Sequence, residues 1–332
     1  MMQFALIGAG FIGPVHAANI AAHPRAQLRY VVDLNRDAAS RVAGQHGAAI
    51  ADSLDVVLAD AKLDAVVICT PPRSHAAIIE AAARAGKAIF CEKPIDLDIV
   101  KVDACGAVLR KTGVPFFVGF NRRFDPTHSA LHEALRRGDL GRAEMVIVSS
   151  RDPEISPPDY VAAMPYGIFY DTMIHDFDMV RWLTRDEPVE VYARTSVMLD
   201  EKINPVRDPD TAMVTLVLAG GALVHVNSSF RAVYGYDQRI EVFGEKGMLI
   251  SRNQQPTSLE RHGADGIHQA PLHYFFIQRY VQAYAAELDH FVTSVETCQP
   301  PSIGFEDGRR ALAIAYAAME SAKSGRPVAL PR

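Results

Sequence analysis

Three side chains in this sequence have the types and the spacing that proton transfer to or from an alcohol requires. Asp171 and His175 stand four residues apart near the start of a helix predicted over 172–183, so their side chains share one helical face. A carboxylate within about 4–6 Å of an imidazole raises its pKa and fixes its tautomer, which prepares the ring to act as a general base. Lys93 follows a predicted buried strand, and this position places its ammonium at the carboxyl edge of a sheet.

Each of these assignments has an alternative. Lys93 could be a solvated loop lysine, although Pro94 restricts its backbone and the bond between them could be cis. His175 could merely cap or pair on a surface helix. Asp171, His175 and Asp178 could chelate a metal, but few further histidines or cysteines lie near them in the sequence, so we predict no metal. The opposite helical face is apolar, so the polar trio is predicted to face away from the core, towards solvent or a cleft.

A dinucleotide-binding fingerprint occupies the start of the chain. A short apolar run leads into GAGFIG at 8–13, a helical pattern follows, and a second apolar run ends in Asp33. Gly8 permits a tight turn, Gly10 lets the backbone approach a pyrophosphate, and Gly13 lets the helix pack close to the strand. The N–H groups and the dipole at the helix N-terminus then favour phosphates.

Asp33 decides the predicted cofactor. Its carboxylate can accept hydrogen bonds from both hydroxyls of the adenosine ribose and would repel a 2′-phosphate, which favours NAD over NADP. Arg36 opposes this prediction, since a nearby guanidinium could hold that phosphate. The candidate cofactor contacts are Gly8, Gly10, Phe11, Ile12, Gly13, Asp33, Thr70, Pro71, His75, Glu92, Lys93 and Asn121.

The alternation of apolar runs and helical patterns predicts an α/β fold. As far as about residue 120 it predicts the doubly wound parallel sheet of a Rossmann domain. Beyond that point, period-two runs such as 211–218 and 222–230 predict a large, mostly antiparallel sheet that helices cover on one face only. We therefore expect an NAD-binding domain at 1–121 and an α+β domain for substrate binding and oligomerisation at 122–332.

Composition excludes several classes of protein. A chain of 332 residues suits about two domains, and a net charge of −5 without a basic block argues against nucleic acid or an anionic membrane surface. No apolar run reaches the roughly 18 residues of a membrane-spanning helix. The first predicted strand leaves no room for a signal peptide, and the scattered cysteines suit a reducing compartment, so we expect a cytoplasmic protein. The cysteines are Cys69, Cys91, Cys105 and Cys298.

Longer motifs resemble those of a known family. The stretches GAGFIG, TPPRSHAAIIEAAARAGKAIFCEKP, GFNRRFD, DTMIHDFDMVRWL and YGYDQRIEVFGEKG are similar to the Gfo/Idh/MocA family of nicotinamide-dependent oxidoreductases, over essentially the whole chain. NRRFDP, SSRDPEISPPDYV and DTMIHDFDM resemble its inositol 2-dehydrogenase subgroup. The family's catalytic lysine, aspartate and histidine fall on Lys93, Asp171 and His175. Its substrate contacts fall on Lys93, Arg122, Asp152, Thr172, His175, Tyr236 and Tyr284.

The resemblance implies reversible oxidation of a ring hydroxyl of a cyclic polyol, foremost myo-inositol to 2-keto-myo-inositol, with hydride passing to NAD. Two alternatives remain open. The same chemistry could act on scyllo-inositol, glucose or another sugar with NAD or NADP, or the protein could be a non-catalytic regulator that senses NAD. The family also implies dimers or tetramers formed through the open sheet face, which the sequence by itself only permits.

Overall fold

The computed structural model of the protein describes residues 1–331, which form two compact units. Unit 1 comprises residues 1–124 and 282–312, and unit 2 comprises residues 125–281 and 313–331. Each unit has its own sheet.

The first part of the chain alternates strands and helices, as predicted. Its elements are β1 (Met2–Ile7), α1 (Gly13–Ala22), β2 (Ala26–Val32), α2 (Arg36–His46), β3 (Ala49–Ile50), α3 (Leu54–Leu58), β4 (Ala65–Ile68), a 3-10 turn (Pro72–Ser74), α4 (His75–Arg84), β5 (Ala88–Cys91), α5 (Ile99–Thr112), β6 (Phe116–Val118) and a second 3-10 turn (Asn121–Phe124).

The six strands of unit 1 form one parallel sheet in the order β3-β2-β1-β4-β5-β6. Strands β4 and β5 are buried along their whole length, as parallel strands covered on both faces must be. The strand order reverses between β1 and β4, and ligands of such sheets bind beyond the carboxyl ends of the strands at this point. The predicted Rossmann architecture is confirmed.

The rest of the chain follows a different pattern. Its elements are α6 (Pro126–Arg136), β7 (Ala143–Arg151), α7 (Pro158–Ala163), a π turn (Ile168–Thr172), α8 (Met173–Thr184), β8 (Pro188–Ser196), β9 (Thr211–Leu218), β10 (Leu223–Ser229), β11 (Asp237–Gly244), β12 (Gly247–Ser251), β13 (Glu260–Gly263), β14 (Gly266–Gln269), α9 (Phe276–Arg279), α10 (Val281–Glu296), α11 (Phe305–Ser324) and β15 (Val328–Ala329).

Unit 2 contains a seven-stranded sheet in the order β12-β11-β7-β10-β9-β8-β15. Neighbouring strands are antiparallel except β7 and β10, which are parallel. Helices α6 and α8 lie against this sheet, and the Ala193 N–H of β8 donates to Ser321 Oγ of α11. The opposite face is open and carries the exposed side chains Met145, Met213, Leu223, Phe243 and Met248. The predicted open-faced, mostly antiparallel sheet is thus confirmed.

The division into units differs from the predicted boundary at 121/122 in two ways. Unit 1 extends to Phe124, and the chain returns to unit 1 at residues 282–312, which include most of α10. Phe291 of α10 lies 6.2 Å from Phe4, 5.7 Å from Phe90 and 6.1 Å from Phe117 between ring centroids. The apolar stripe of this helix was predicted correctly. A helical period identifies which face is buried, but it does not say against which sheet.

Two predicted helices are also less regular than expected. The helix expected over 172–183 is preceded by the π turn, and the helix expected over 276–295 is divided at Tyr280 into α9 and α10. The small hairpin of β13 and β14 was not predicted.

Candidate active site

The glycine turn after β1 has the local geometry that the fingerprint predicts. Gly8 has φ +102°, and a Cβ there would lie 2.6 Å from the carbonyl carbon of Cys69, at the end of β4. A Cβ on Gly13 would collide with the Gly8 carbonyl oxygen. Within residues 1–331, no heavy atom lies within 4 Å of a Cβ built on Gly10, so the backbone there is open to a ligand.

Asp33 is held beside this turn by two backbone hydrogen bonds. Its Oδ2 accepts the Ala9 N–H at 2.6 Å and its Oδ1 accepts the Asn35 N–H at 2.7 Å. Each carboxylate oxygen has a second lone pair, so both oxygens can still accept from a ribose hydroxyl. Arg36 Nη1 donates to Asp52 Oδ1 at 2.9 Å in a largely exposed ion pair.

His75 was predicted as a cofactor contact, and the structure gives it another role. Its ring is 1% exposed. Nδ1 lies 2.8 Å from the Pro94 carbonyl oxygen and Nε2 lies 2.6 Å from the Thr70 carbonyl oxygen. Burial lowers the pKa of His75, although both carbonyls oppose the shift. Because both ring nitrogens face backbone carbonyls, His75 links the segments that follow β4 and β5 rather than offering a nitrogen to a ligand.

Lys93 stands in the segment after β5 and is half-buried. Its backbone N–H donates to Glu92 Oε2 at 3.3 Å, and its bond to Pro94 is cis. Asn121 and Arg122, in the 3-10 turn after β6, are 2% and 3% exposed. Arg122 was predicted as a substrate contact in the second domain and instead belongs to unit 1.

Asp171 and His175 lie in unit 2 and are both half-buried. The chain reaches them through the π turn, in which Asp171 is the fourth residue, and then enters α8. Asp171 Oδ2 accepts a hydrogen bond from the Tyr160 hydroxyl at 3.1 Å. A π turn interrupting an α-helix is frequent at functional sites.

A pocket opens beside Asp171. Thr172, predicted as a substrate contact, also lines it. The remaining lining residues are Ile155, Ser156, Tyr160, Val161, Met164, Gly167, Ile168, Asp208, Pro209 and Phe230. Burial raises the pKa of Asp208, whose carboxylate accepts the Tyr166 N–H at 2.8 Å. Polar groups therefore line one part of this pocket and apolar side chains the rest.

The third member of the predicted polar trio is not at this surface. Asp178 is 1% exposed, so the expectation that it faces away from the core is wrong. Helix α8 is buried on nearly all sides because it lies against the unit 2 sheet. Within residues 1–331, the ligand atoms of the trio do not all lie within 4.8 Å of one another.

The other predicted substrate contacts are spread over both units. Asp152 is half-buried just after β7, and Tyr236 is 4% exposed with its ring edge towards Tyr280 at 5.9 Å between centroids. Tyr284 was expected in the second domain but lies in unit 1, 5% exposed, with its ring perpendicular to that of His16 at 5.7 Å.

Sequence reasoning did not identify four residues that the structure distinguishes by their contacts or their burial. Tyr160 lies in α7, within the stretch SSRDPEISPPDYV that resembles the inositol dehydrogenase subgroup, and that was a usable signal. Asp208 gave no signal, because nothing in a sequence places its loop near 171. Glu287 interrupts the apolar stripe of α10, and His16 lies three residues after Gly13; both are buried.

Family models match both parts of the chain. Residues 2–120 match the model described as an oxidoreductase family with an NAD-binding Rossmann fold, and residues 128–250 match the GFO/IDH/MocA C-terminal domain. The chain belongs to the Gfo/Idh/MocA family. Its first unit is an NAD-binding domain of that family, and the family recognised from the sequence motifs is confirmed.

Two curated relatives match over nearly their full lengths. The inositol 2-dehydrogenase of Rhizobium meliloti is 45% identical over 329 residues, covering 99% of each chain. The scyllo-inositol 2-dehydrogenase (NAD(+)) of Bacillus subtilis is 32% identical over 336 residues, covering 99% of this chain and 96% of the relative.

Solved structures agree with the fold. A myo-inositol dehydrogenase from Corynebacterium glutamicum superposes with a TM-score of 0.94 at 40% identity, covering 100% of this chain and 99% of the other. The myo-inositol dehydrogenase of Lactobacillus casei in complex with NAD(H) and myo-inositol gives a TM-score of 0.91 at 26% identity, covering 100% and 97%. Over residues 1–331 we find no helix with the length and apolar character needed to cross a membrane.

Proposed function

We propose that this protein is an NAD-dependent dehydrogenase that oxidises a ring hydroxyl of an inositol, with myo-inositol as the principal substrate and 2-keto-myo-inositol as the product. The observation that carries the proposal is the 45% identity, over 99% of both chains, to an inositol 2-dehydrogenase. Unit 1 serves as the cofactor domain, and unit 2 serves in substrate binding and oligomerisation.

The residues of unit 1 fit a bound dinucleotide. The open backbone at Gly10 suits the approach of a pyrophosphate, and no side chain caps the N-terminus of α1. Asp33, fixed at the end of β2, suits the two ribose hydroxyls and disfavours a 2′-phosphate. NAD is therefore the preferred cofactor, and bound NAD supplies the hydride acceptor.

The chain's own residues manage the proton and the charge. His175 takes the proton of the reacting hydroxyl, and Asp171 stabilises the imidazolium that forms. The hydrogen bond from Tyr160 holds the Asp171 carboxylate in one orientation. Lys93 holds the reacting oxygen and stabilises negative charge on it. Arg122, Asp152, Thr172, Tyr236 and Tyr284 remain candidate partners for the other hydroxyls.

A second substrate has a specific observation in its favour. The relative from Bacillus subtilis is a scyllo-inositol 2-dehydrogenase, and it matches over 99% of this chain. The two isomers differ only in the orientation of one hydroxyl, so a single polar contact can decide between them.

The proposal is tested by a spectrophotometric screen of inositol isomers, glucose and other sugars with NAD and then with NADP. We expect NADH formation with an inositol and a higher kcat/KM for myo-inositol than for any sugar. Preference for scyllo-inositol would move the assignment to the second substrate. Tight NAD binding without turnover of any polyol would leave a regulator of this fold and reject the enzyme.

We also propose that the protein works in the cytoplasm as a dimer or tetramer. Its four cysteines are free thiols, three of them buried, which suits a reducing compartment. The apolar side chains on the open face of the unit 2 sheet support association through that face.

A further inference from the structure

A buried group of three titratable side chains lies inside unit 1, and the proposed reaction does not use it. His16 of α1, Glu92 after β5 and Glu287 of α10 are 1%, 8% and 0% exposed. Each offers an atom within 4.8 Å of the other two, and His16 Nε2 lies 2.7 Å from Glu92 Oε1. Within residues 1–331, neither oxygen of Glu287 has a hydrogen-bond partner.

The charge of this cluster is constrained by its burial. Two ionised carboxylates in a dry site repel each other, so one of them must keep its proton. Burial, reinforced by the charge of Glu92, raises the pKa of Glu287 well above its usual value. Burial, together with the nearby charge of Glu92, raises the pKa of the Cys69 thiol just after β4.

The cluster is connected to Lys93 through Glu92. Glu92 Oε2 accepts the backbone N–H of Lys93 at 3.3 Å. Gly119 lies close to this carboxylate, since a Cβ built on Gly119 would lie 3.3 Å from Glu92 Cδ. The ring of Tyr284 packs edge-on against His16. A shift of the Glu92 carboxylate would disturb its hydrogen bond to the backbone that carries Lys93.

We propose that Glu287, as a neutral carboxylic acid, is a positioning residue that confines the negative charge of the cluster to Glu92 and so keeps the Lys93 segment in its reactive place. An ionised Glu287 would repel the Glu92 carboxylate and so disturb its hydrogen bond to the backbone N–H of Lys93. This inference rests on the role of Lys93 in the proposed function.

The protonation of Glu287 is tested by infrared spectroscopy, with no substrate present. Wild-type protein at neutral pH should show the carbonyl stretch of a protonated carboxylic acid, and Glu287→Gln should remove it. Glu296→Gln is the matched control, because Glu296 lies on the same helix but is partly exposed and paired with Arg25. Absence of the band from wild-type protein overturns the proposal. So does a stoichiometric divalent cation in wild-type protein that is lost in Glu287→Gln.

The positioning role is tested by kinetics and by the chemistry of Lys93. Glu287→Gln keeps a neutral group of the same shape, so kcat should stay within about twofold of wild type. Wild-type kcat should fall as pH rises through the raised pKa of Glu287, and the Gln variant should lose that decline. Glu287→Met is also neutral, so it too should keep kcat near the wild-type value and lose the decline, with the Kd for NAD little changed.

A readout that needs no turnover separates this inference from the proposed function. The acylation rate of Lys93, followed by peptide mass spectrometry, should be the same in wild type, Glu287→Gln and Glu296→Gln at neutral pH. Above the raised pKa of Glu287 the rate should differ between wild type and Glu287→Gln, and Glu296→Gln should still match wild type. If no polyol is oxidised but these rates behave as stated, the substrate assignment fails and the positioning role stands. If Glu287→Gln leaves both the Lys93 rate and the pH profile of kcat as they are in wild type, Glu287 is only a packing residue.

Discussion

At the scale of single residues, the Tyr160–Asp171 hydrogen bond is the most informative contact in unit 2. The Tyr160 hydroxyl donates to Asp171 Oδ2 at 3.1 Å and so holds that carboxylate oxygen in place. Tyr160 is partly exposed, at 38%, so its hydroxyl can be removed without opening a cavity in the core.

We predict that Tyr160→Phe lowers kcat by roughly 2- to 12-fold, the equivalent of one hydrogen bond of about 0.5–1.5 kcal/mol. Steady-state kinetics with the preferred polyol measures the effect. Tyr30→Phe is the matched control, because the Tyr30 hydroxyl also donates to an aspartate, Asp60 Oδ2 at 2.9 Å, on another part of the chain. Equal losses in both variants would argue against a role for Tyr160 at the site.

His175→Ala tests the proposed general base. Loss of proton transfer should lower kcat by about 10²- to 10⁴-fold and leave NAD affinity, measured by calorimetry, nearly unchanged. His268→Ala, in the exposed β14 strand, should behave as wild type. Near-normal turnover of His175→Ala with full NAD affinity would show that another group takes the proton.

At the scale of elements, the turn between β1 and α1 contains two glycines that are needed for different reasons. Gly13 is required by the fold, because its Cβ would collide with the Gly8 carbonyl oxygen. Gly10 is not, since the space around it is open in the part of the chain that the structure describes. Glycine at position 10 therefore serves the approach of a ligand rather than packing.

We predict opposite outcomes for alanine at these two positions. Gly13→Ala should lower the free energy of unfolding by at least about 1–3 kcal/mol, as overpacking does. Gly10→Ala should fold as wild type and lose about tenfold or more in NAD affinity, because the methyl group occupies the approach of the pyrophosphate. Chemical denaturation and calorimetry give both quantities.

Gly44→Ala in α2 is the control for this pair. Its Cβ would also meet open space, and a helical glycine replaced by alanine should stabilise the fold by roughly 0.5–1 kcal/mol without changing NAD affinity. An unchanged NAD affinity in Gly10→Ala would contradict the predicted pyrophosphate position.

At the scale of the whole molecule, the open face of the unit 2 sheet is the feature that the isolated chain does not explain. Met213 is 57% exposed and Leu223 is 51% exposed on this face. A contiguous apolar surface of this kind marks an interaction site in most soluble proteins. A symmetric pairing of two such faces would bury the same residues of both subunits.

We predict that Leu223→Glu dissociates the proposed oligomer, because Leu223 lies beside Met145 and Val217 on this face, where a buried charge loses its hydration without gaining a partner. Sedimentation velocity at micromolar protein should show a smaller species than wild type. Val56→Glu, at a valine of α3 with a similar exposure of 58%, is the matched control and should sediment as wild type. A wild-type protein that sediments as a monomer would reject the interface altogether.

Local sequence patterns predicted much of this protein. The period-two and period-3.6 runs predicted both sheets, the glycine spacing predicted the turn that Gly8 and Gly13 make, and Asp33 lies beside that turn as expected. These features depend on interactions between residues close in sequence or on one repeated period. The catalytic roles of Lys93, Asp171 and His175 remain predictions, since they depend on a substrate.

The failures all involve contacts between residues distant in sequence. Sequence reasoning did not predict that α10 belongs to unit 1 or that Asp178 is buried. It also did not predict that both ring nitrogens of His75 face carbonyl oxygens, or that Tyr160 contacts Asp171. Above all, sequence reasoning did not predict that Glu287 lies beside His16 and Glu92. The physical reason is that a residue's type and its local period determine whether it is buried, whereas the path of the folded chain determines what lies beside it and therefore its charge.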